Sequence, residues 1–511
     1  MNHNSSFIFN KTTLDNIEYI SNDMMYVKNP MKYYNRLFNN HLNTNFVQMQ
    51  NLFDQLTLKL LNITNQYTQN NSNNLLNQLV KNKTSIKWTN TTKKNMEFPH
   101  IYNAIIELFK KNNKPIMSFE KFNDLYNKKI IKITDFDDYL NNYLNNQFTN
   151  LFNNFTLNGQ QQPQENITDE IINILKYFEN GTFISLDVKQ YVETNINCCD
   201  IYDFEHLKLY FFTSDKNMDK TNINIIKHIV IISKWIHSLN PVYKIKFVYF
   251  DCPIPKKLNR CLNIQSHTHE QQDLHKDDKN YKYLSSQNIN SGSSSSNNML
   301  MIWRREEFTK VLIHELIHYL DMDVKYDDNF NKLFSNIGSI NYPILVNETI
   351  TEIQAQFLNT IYITGQLKNN NFDTFKTLYQ FEHIFSWYQF AKIMEYYEIE
   401  KFKKKYIIEK FNQSTNAFSY YILKSILGLN FATILLSLNH FIKLIQPTQP
   451  TQLIQPTRKI QCNVNKCNPL VKHIIKTLTN PKKIIKFLNK VIKRLEFFDE
   501  TLRMTIFNIE I

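Results

Sequence analysis

The ten residues Val311 to Leu320, reading Val-Leu-Ile-His-Glu-Leu-Ile-His-Tyr-Leu, restrict the fold more than any other part of the chain. No Gly or Pro interrupts Phe308 to Leu320, so a helix is expected, and histidines four apart on a helix share a face. His314 and His318 can then reach one ion at about 2.0 to 2.1 Å, while Leu316 and Ile317 face a core. Glu315 lies about 100° round the helix from His314, beside such an ion rather than on it, where its carboxylate can take a proton from a zinc-activated water. A catalytic zinc takes three protein ligands and keeps one position open, so a third donor has to come from elsewhere.

Asn347-Glu348-Thr349-Ile350-Thr351-Glu352 opens a second expected helix that runs on through Leu358. Glu348 and Glu352 are four apart and share a face, so one can ligate a metal while the other supports a ligand from behind. The spacing alone does not choose between them. Upstream, the apolar run Met299 to Trp303 reads as a strand that breaks into Arg304-Arg305-Glu306-Glu307. The two glutamates suit the first turn of the His314 helix, near the positive end of its dipole.

The rest of the chain organises around this centre. Residues 1–157 read as a helical, Asn-rich region, with Leu52, Leu56, Leu60 and Ile101, Ile105, Leu108 at helical spacing. The polar stretch around Pro163 makes 158–168 a linker. Residues 169–445 carry a mixed pattern: a helix at Asp169 to Phe178, strands at Thr182 to Val188, Leu207 to Thr213 and Tyr243 to Phe250, and a long helix capped by Thr221 that runs to Leu239. Within them, 261–298 ends in a Ser-Asn run and reads as a flexible insertion, its His267, His269 and His275 belonging to a solvated loop. A repeated Gln-Pro-Thr unit makes 446–458 an extended linker, and 459–511 is a basic tail, helical over Val471 to Phe498. The fold class expected is α+β, predominantly helical.

Composition excludes some classes of function. With 42% hydrophobic residues, 38 Phe and 28 Tyr, the chain is globular in spite of a mean hydropathy of -0.43. Its net charge of +13 accompanies an abundance of Asn, Lys and Ile and only 6 Gly, the signature of AT-rich coding, so nucleic acid is not expected as the main partner. The longest apolar run, Ser425 to Leu438, falls short of the roughly 20 residues a membrane span needs and reads as a core helix. Six cysteines and a polar start without a secretory signal suit an intracellular location, cytoplasmic or virion-associated.

With these residues in hand, the sequence resembles the gluzincins, the zinc peptidases that include thermolysin and anthrax lethal factor. They carry HExxH on one helix and a glutamate ligand on a following one, often in Asn-Glu-x-x-x-Asp or Asn-Glu-x-x-x-Glu; His314, Glu315 and His318 match the first motif and Asn347, Glu348 and Glu352 the second. The likeness implies a zinc peptidase acting on a peptide or protein substrate, with Glu315 as general base, His314, His318 and Glu348 as ligands, Glu352 behind His314 and Asn347 orienting His318. It also implies a catalytic lobe of a small mixed sheet, in which Met299 to Trp303 lies along the cleft and pairs with extended substrate. For the oxyanion-stabilising group it points to Tyr342, with His383, Tyr420 and Tyr421 as further candidates. The 29 residues between His318 and Glu348 keep Glu352 open as the ligand. Asn-rich, Gly-poor chains with Ser-Asn inserts also look like products of giant DNA viruses or other AT-rich genomes. Two other readings stay open: an inactive peptidase fold serving as a structural or interaction protein, and a nucleic-acid-binding protein using the basic surface.

Overall fold

The computed structural model describes residues 46–68, 83–87, 165–214, 220–241, 244–258, 282–295, 299–323, 344–399, 410–428 and 501–507. The helices are α1 (Phe46–Thr68), α2 (Glu165–Asn180), α3 (Leu186–Asn195), α4 (Lys220–His237), the single turn α5 (Ser286–Ile289), α6 (Phe308–Tyr319), α7 (Val346–Gly365), α8 (Phe372–Tyr396) and α9 (Lys424–Gly428), the last preceded by a π-helical turn at Phe418–Leu423. The strands are β1 (Lys83–Lys87), β2 (Cys198–Asp203), β3 (Leu207–Thr213), β4 (Ile245–Phe250), β5 (Gly292–Ser295) and β6 (Met299–Ile302). Over the described residues the chain is mixed α+β, with helix predominant and one small sheet.

That sheet is six-stranded, in the order β1-β2-β3-β4-β6-β5. Its centre is parallel, β3 to β4 and β4 to β6, and its flanks are antiparallel. Strands covered on both faces read as continuous apolar runs, and Leu-Lys-Leu-Tyr-Phe-Phe-Thr and Ile-Lys-Phe-Val-Tyr-Phe are of that kind. Alternation sends Leu209, Phe211, Phe247, Tyr249, Leu300 and Ile302 into a large core shared with α1, α4, α6, α7 and α8. Tyr210, Phe212, Val248, Phe250, Met301 and Trp303 face a smaller core closed by α2 and α3. No helix among the described residues is long and apolar enough to cross a membrane.

Several expectations are corrected. Thr182 to Val188 is not a strand: Ile184, Val188, Val192 and Ile196 are buried at intervals of four, and α3 begins at Leu186. Thr221 lies inside the first turn of α4 rather than capping it. The Ser-rich end of the expected insertion 261–298 is ordered as α5 and the edge strand β5, while His267, His269 and His275 lie outside the described residues. The region 1–157 is not wholly helical, since β1 extends the sheet, and α1 belongs to the large core, with Leu56 and Leu60 fully buried and the Leu56 carbonyl accepting from Trp235 Nε1 at 3.2 Å. Within the tail 459–511 the described segment Thr501 to Phe507 is non-helical and buried from Leu502 on; its expected helix and the linker 446–458 lie outside the described residues.

Candidate metal centre

Helix α6 is enclosed over most of its length, from Phe308 to Ile317, between the sheet, α4 and α7. The turn from β6 into it is clamped by two arginines. Arg304, buried, donates to the carbonyls of Ile254, Pro255, Gln287 and Asn290 and to Ser185 Oγ; Arg305 grips both carboxylate oxygens of Asp251 at 2.8 and 2.7 Å. Glu306 and Glu307 precede the helix instead of occupying its first turn. Glu307 adopts the left-handed conformation (φ 59°) and sends its buried carboxylate to Lys256 Nζ at 2.8 Å.

The helix ends where it must for the site to form. Asp321, at φ 51°, lets Met322 N donate to Ile317 O at 2.8 Å and Asp321 N to His318 O at 3.1 Å, the paired bonds of a Schellman stop. Asn240 Nδ2 caps the Leu320 carbonyl at 2.6 Å, and the Tyr319 hydroxyl donates to Lys244 O at 3.1 Å. The reversal returns Asp323 to the face carrying His318.

Among the described residues, His314, His318 and Glu348 form a group whose ligand atoms all lie within 4.8 Å of one another. Glu348 Oε2 stands 3.6 Å from His314 Nε2 and 3.5 Å from His318 Nε2. Ligands at about 2.0 to 2.1 Å from a tetrahedral ion are separated by about 3.3 Å, close to the two distances from Glu348 to the rings. The other nitrogen of each ring faces a carboxylate: His314 Nδ1 is 3.0 Å from Glu352 Oε2, and His318 Nδ1 is 3.4 Å from Asp323 Oδ2. This pattern turns both Nε2 atoms toward the shared point and away from other partners.

Burial opposes ionisation of both glutamates and neighbouring cations hold both well below the usual carboxylate range, but the cations differ: His314 and His318 at Glu348, chiefly Lys310 and Lys424 at Glu352. Two buried lysines bind it from behind, which leaves Glu348 as the carboxylate at the shared point. Burial likewise works against protonating the imidazoles, yet Glu348 and Glu352 raise His314 above its usual value, and Asp323 and Glu348 push His318 up to about 10. Metal binding at these rings would therefore compete with protonation. Glu315 behaves oppositely: burial, with Glu348 adding to it, raises its pKa, and Ser294 of β5 is a hydrogen-bond partner. A carboxylate pushed upward is a better proton acceptor near neutrality.

Of the aromatic candidates, Tyr342 lies outside the described residues. The hydroxyl of Tyr420, in the π-helical turn, donates to Glu348 Oε2 at 3.1 Å. Tyr421 points elsewhere, donating to Leu502 O at 2.6 Å, and His383 is buried against Gly428 and the Trp387 ring. Asn347 is partly exposed on the first turn of α7, and Asp323 stands where its expected role at His318 would be played. Sequence reasoning missed Asp323, Lys310, Lys424 and Gly292. Only Asp323 had a signal to read, a carboxylate just past the end of an HExxH helix.

Compared with known proteins, the chain matches no family model, no curated protein and no solved structure.

Proposed function

We propose that the chain is a zinc-dependent peptidase of gluzincin type. The observation that supports this reading best is the convergence of His314 Nε2, His318 Nε2 and Glu348 Oε2 from two helices, with Glu315 beside them. Zinc held there would supply Lewis acidity, lowering the pKa of a coordinated water from about 15.7 to about 7. The chain's own groups do the rest. Glu315 accepts a proton at its carboxylate and delivers it to the leaving amine. Among the described residues, Tyr420 is a phenol adjacent to the ligands and available to donate to a developing oxyanion. Glu352 and Asp323 hold the two rings in register.

The substrate's course also differs from the expectation. Met299–Ile302 is an interior strand, paired on both sides, so among the described residues the sheet edge beside α6 belongs to β5. An extended peptide would add to Gly292–Ser295, next to Glu315. The presence of a buried, pKa-raised Glu315 favours an active enzyme over an inactive peptidase fold.

The test is metal analysis beside cleavage of a peptide library. His318→Ala is expected to lose both zinc and cleavage, and Glu315→Gln to retain stoichiometric zinc while losing turnover by about 10²- to 10⁴-fold. Wild-type protein that takes up no zinc, or a Glu315→Gln variant that cleaves normally, refutes the proposal.

A further inference from the structure

Behind the metal-facing side of α6, buried charges from three helices, α6, α8 and α9, meet a segment distant from all of them in sequence. In Thr501–Phe507, Leu502, Arg503, Met504, Thr505, Ile506 and Phe507 are buried. Glu307, at the start of α6, accepts from Met504 N and, at 2.7 Å, from Thr505 N. Glu382 of α8 accepts from the Thr505 hydroxyl and, at 3.3 Å, from Ile506 N. The Tyr421 hydroxyl donates to Leu502 O at 2.6 Å.

Two lysines carry these contacts forward to the candidate ligands. Lys424 Nζ donates to Met504 O at 2.8 Å and stands 3.5 Å from Glu352 Oε1. Lys310 Nζ pairs with Glu352 and lies 3.5 Å from Met504 Sδ. Glu352 in turn is the carboxylate 3.0 Å from His314 Nδ1. A continuous path of buried polar contacts therefore runs from the C-terminal segment to a ligand ring. With the Met504 carbonyl gone, Lys424 would lose an acceptor in a place water does not reach, a strongly unfavourable state for a buried cation that leaves it to lean on the carboxylate already beside it. That carboxylate is Glu352.

We propose that Thr501–Phe507 is a positioning element of the metal centre, holding Lys424, and through it Glu352, in the arrangement that aims His314 Nε2 at the ion. The inference rests on the zinc reading above. Groups behind a metal's ligands commonly change affinity by about 10- to 100-fold, and coupling between two sites is reciprocal. Zinc should therefore tighten the segment as the segment tightens zinc.

Both directions can be measured on the full chain. Zinc affinity, read by competition with a chromophoric chelator, is expected to fall about 10- to 100-fold in Lys424→Met, with the circular dichroism spectrum retained. A purely structural lysine would lower the melting temperature and leave the affinity of the folded protein unchanged. In the wild type, amide hydrogen exchange at Met504 and Thr505 is expected to slow on adding zinc by more than exchange in Cys198–Asp203, which reports general stabilisation. This second measurement needs no variant and stands even if Lys424→Met does not fold. Equal slowing at the two places, or a folded Lys424→Met that binds zinc like the wild type, overturns the positioning role. Wild-type protein that binds no zinc overturns the metal reading instead, so the two failures are distinguishable.

Discussion

Gly292 is the position at which the smallest change should reach Glu315, the proposed base. A Cβ built there would lie 2.8 Å from Val311 Cγ1, 3.0 Å from Glu315 Cγ and 3.2 Å from Glu315 Oε1. Carbon atoms rest at about 3.5 to 4.0 Å, so Gly292→Ala requires β5 and α6 to separate, or Glu315 to shift, by about 0.5 to 1 Å. Overpacking of this size typically costs about 1 to 3 kcal/mol of stability. Misplacement of a reacting group by about 1 Å costs on the order of 10²-fold in rate, or about 2.7 kcal/mol in the barrier. The expected outcome is a folded Gly292→Ala protein with full zinc content and kcat/KM lowered on the order of 10²-fold. Quenched fluorescent peptides give the rate, metal analysis the zinc and thermal melting the fold. A variant as active as the wild type would refute the placement of β5 against the base.

Other consequences are open to direct measurement. Tyr420→Phe should lower kcat by roughly 10²- to 10³-fold while KM and zinc content stay close to wild type; a change confined to KM would assign the phenol to substrate binding instead. Asp323→Ala, which frees His318 Nδ1, should weaken zinc binding by about 10- to 100-fold in chelator competition, and unchanged affinity would remove Asp323 from the site. Burial, with Lys424 adding to it, holds His383 down at about 3, so between that value and about 6.5 the unfolded chain binds a proton that the folded chain does not. Stability is thus present above pH 6.5 and lost as pH falls. Relative to His383→Gln, the metal-free wild type should lose about 3 kcal/mol more between pH 7 and 4.5, two pH units below the unfolded value at about 1.36 kcal/mol each. Urea titrations of the two proteins with identical pH slopes would contradict this.

The sequence was most readable where one periodicity dominated. The helix carrying His314 and His318, the helix carrying Glu348, and the strands β3 and β4 all follow from apolar spacing alone. Helix α8 was not anticipated, because it is buried nearly all round and so offers no polar stripe to set the phase. The strand β5 was hidden for the opposite reason. Gly-Ser-Ser-Ser has no apolar alternation, and what fixes it as a strand is its ladder with β6 and its contact with Glu315. At the site, residues on one helix could be related by spacing, so the pairing of Glu352 with His314 was within reach of the motif. Lys310, Lys424 and Glu307 are brought together with Thr505 only by tertiary packing, and no local pattern marks a lysine as buried.

Strand β1 bears on how the chain can be shortened. It covers the outer flank of β2 from Cys198 to Tyr202, and it brings Lys83 Nζ to 3.0 Å and Ser85 Oγ to 2.5 Å from the fully enclosed carboxylate of Asp200. Trimming the protein back to residue 158 would strip away that cover, leaving a row of bare amides and carbonyls and an acid deprived of its cation. Such a flank is a template for self-association. Lys83–Lys87 is therefore part of the folded sheet, and a shortened protein that lacks it is expected to self-associate through the outer edge of β2.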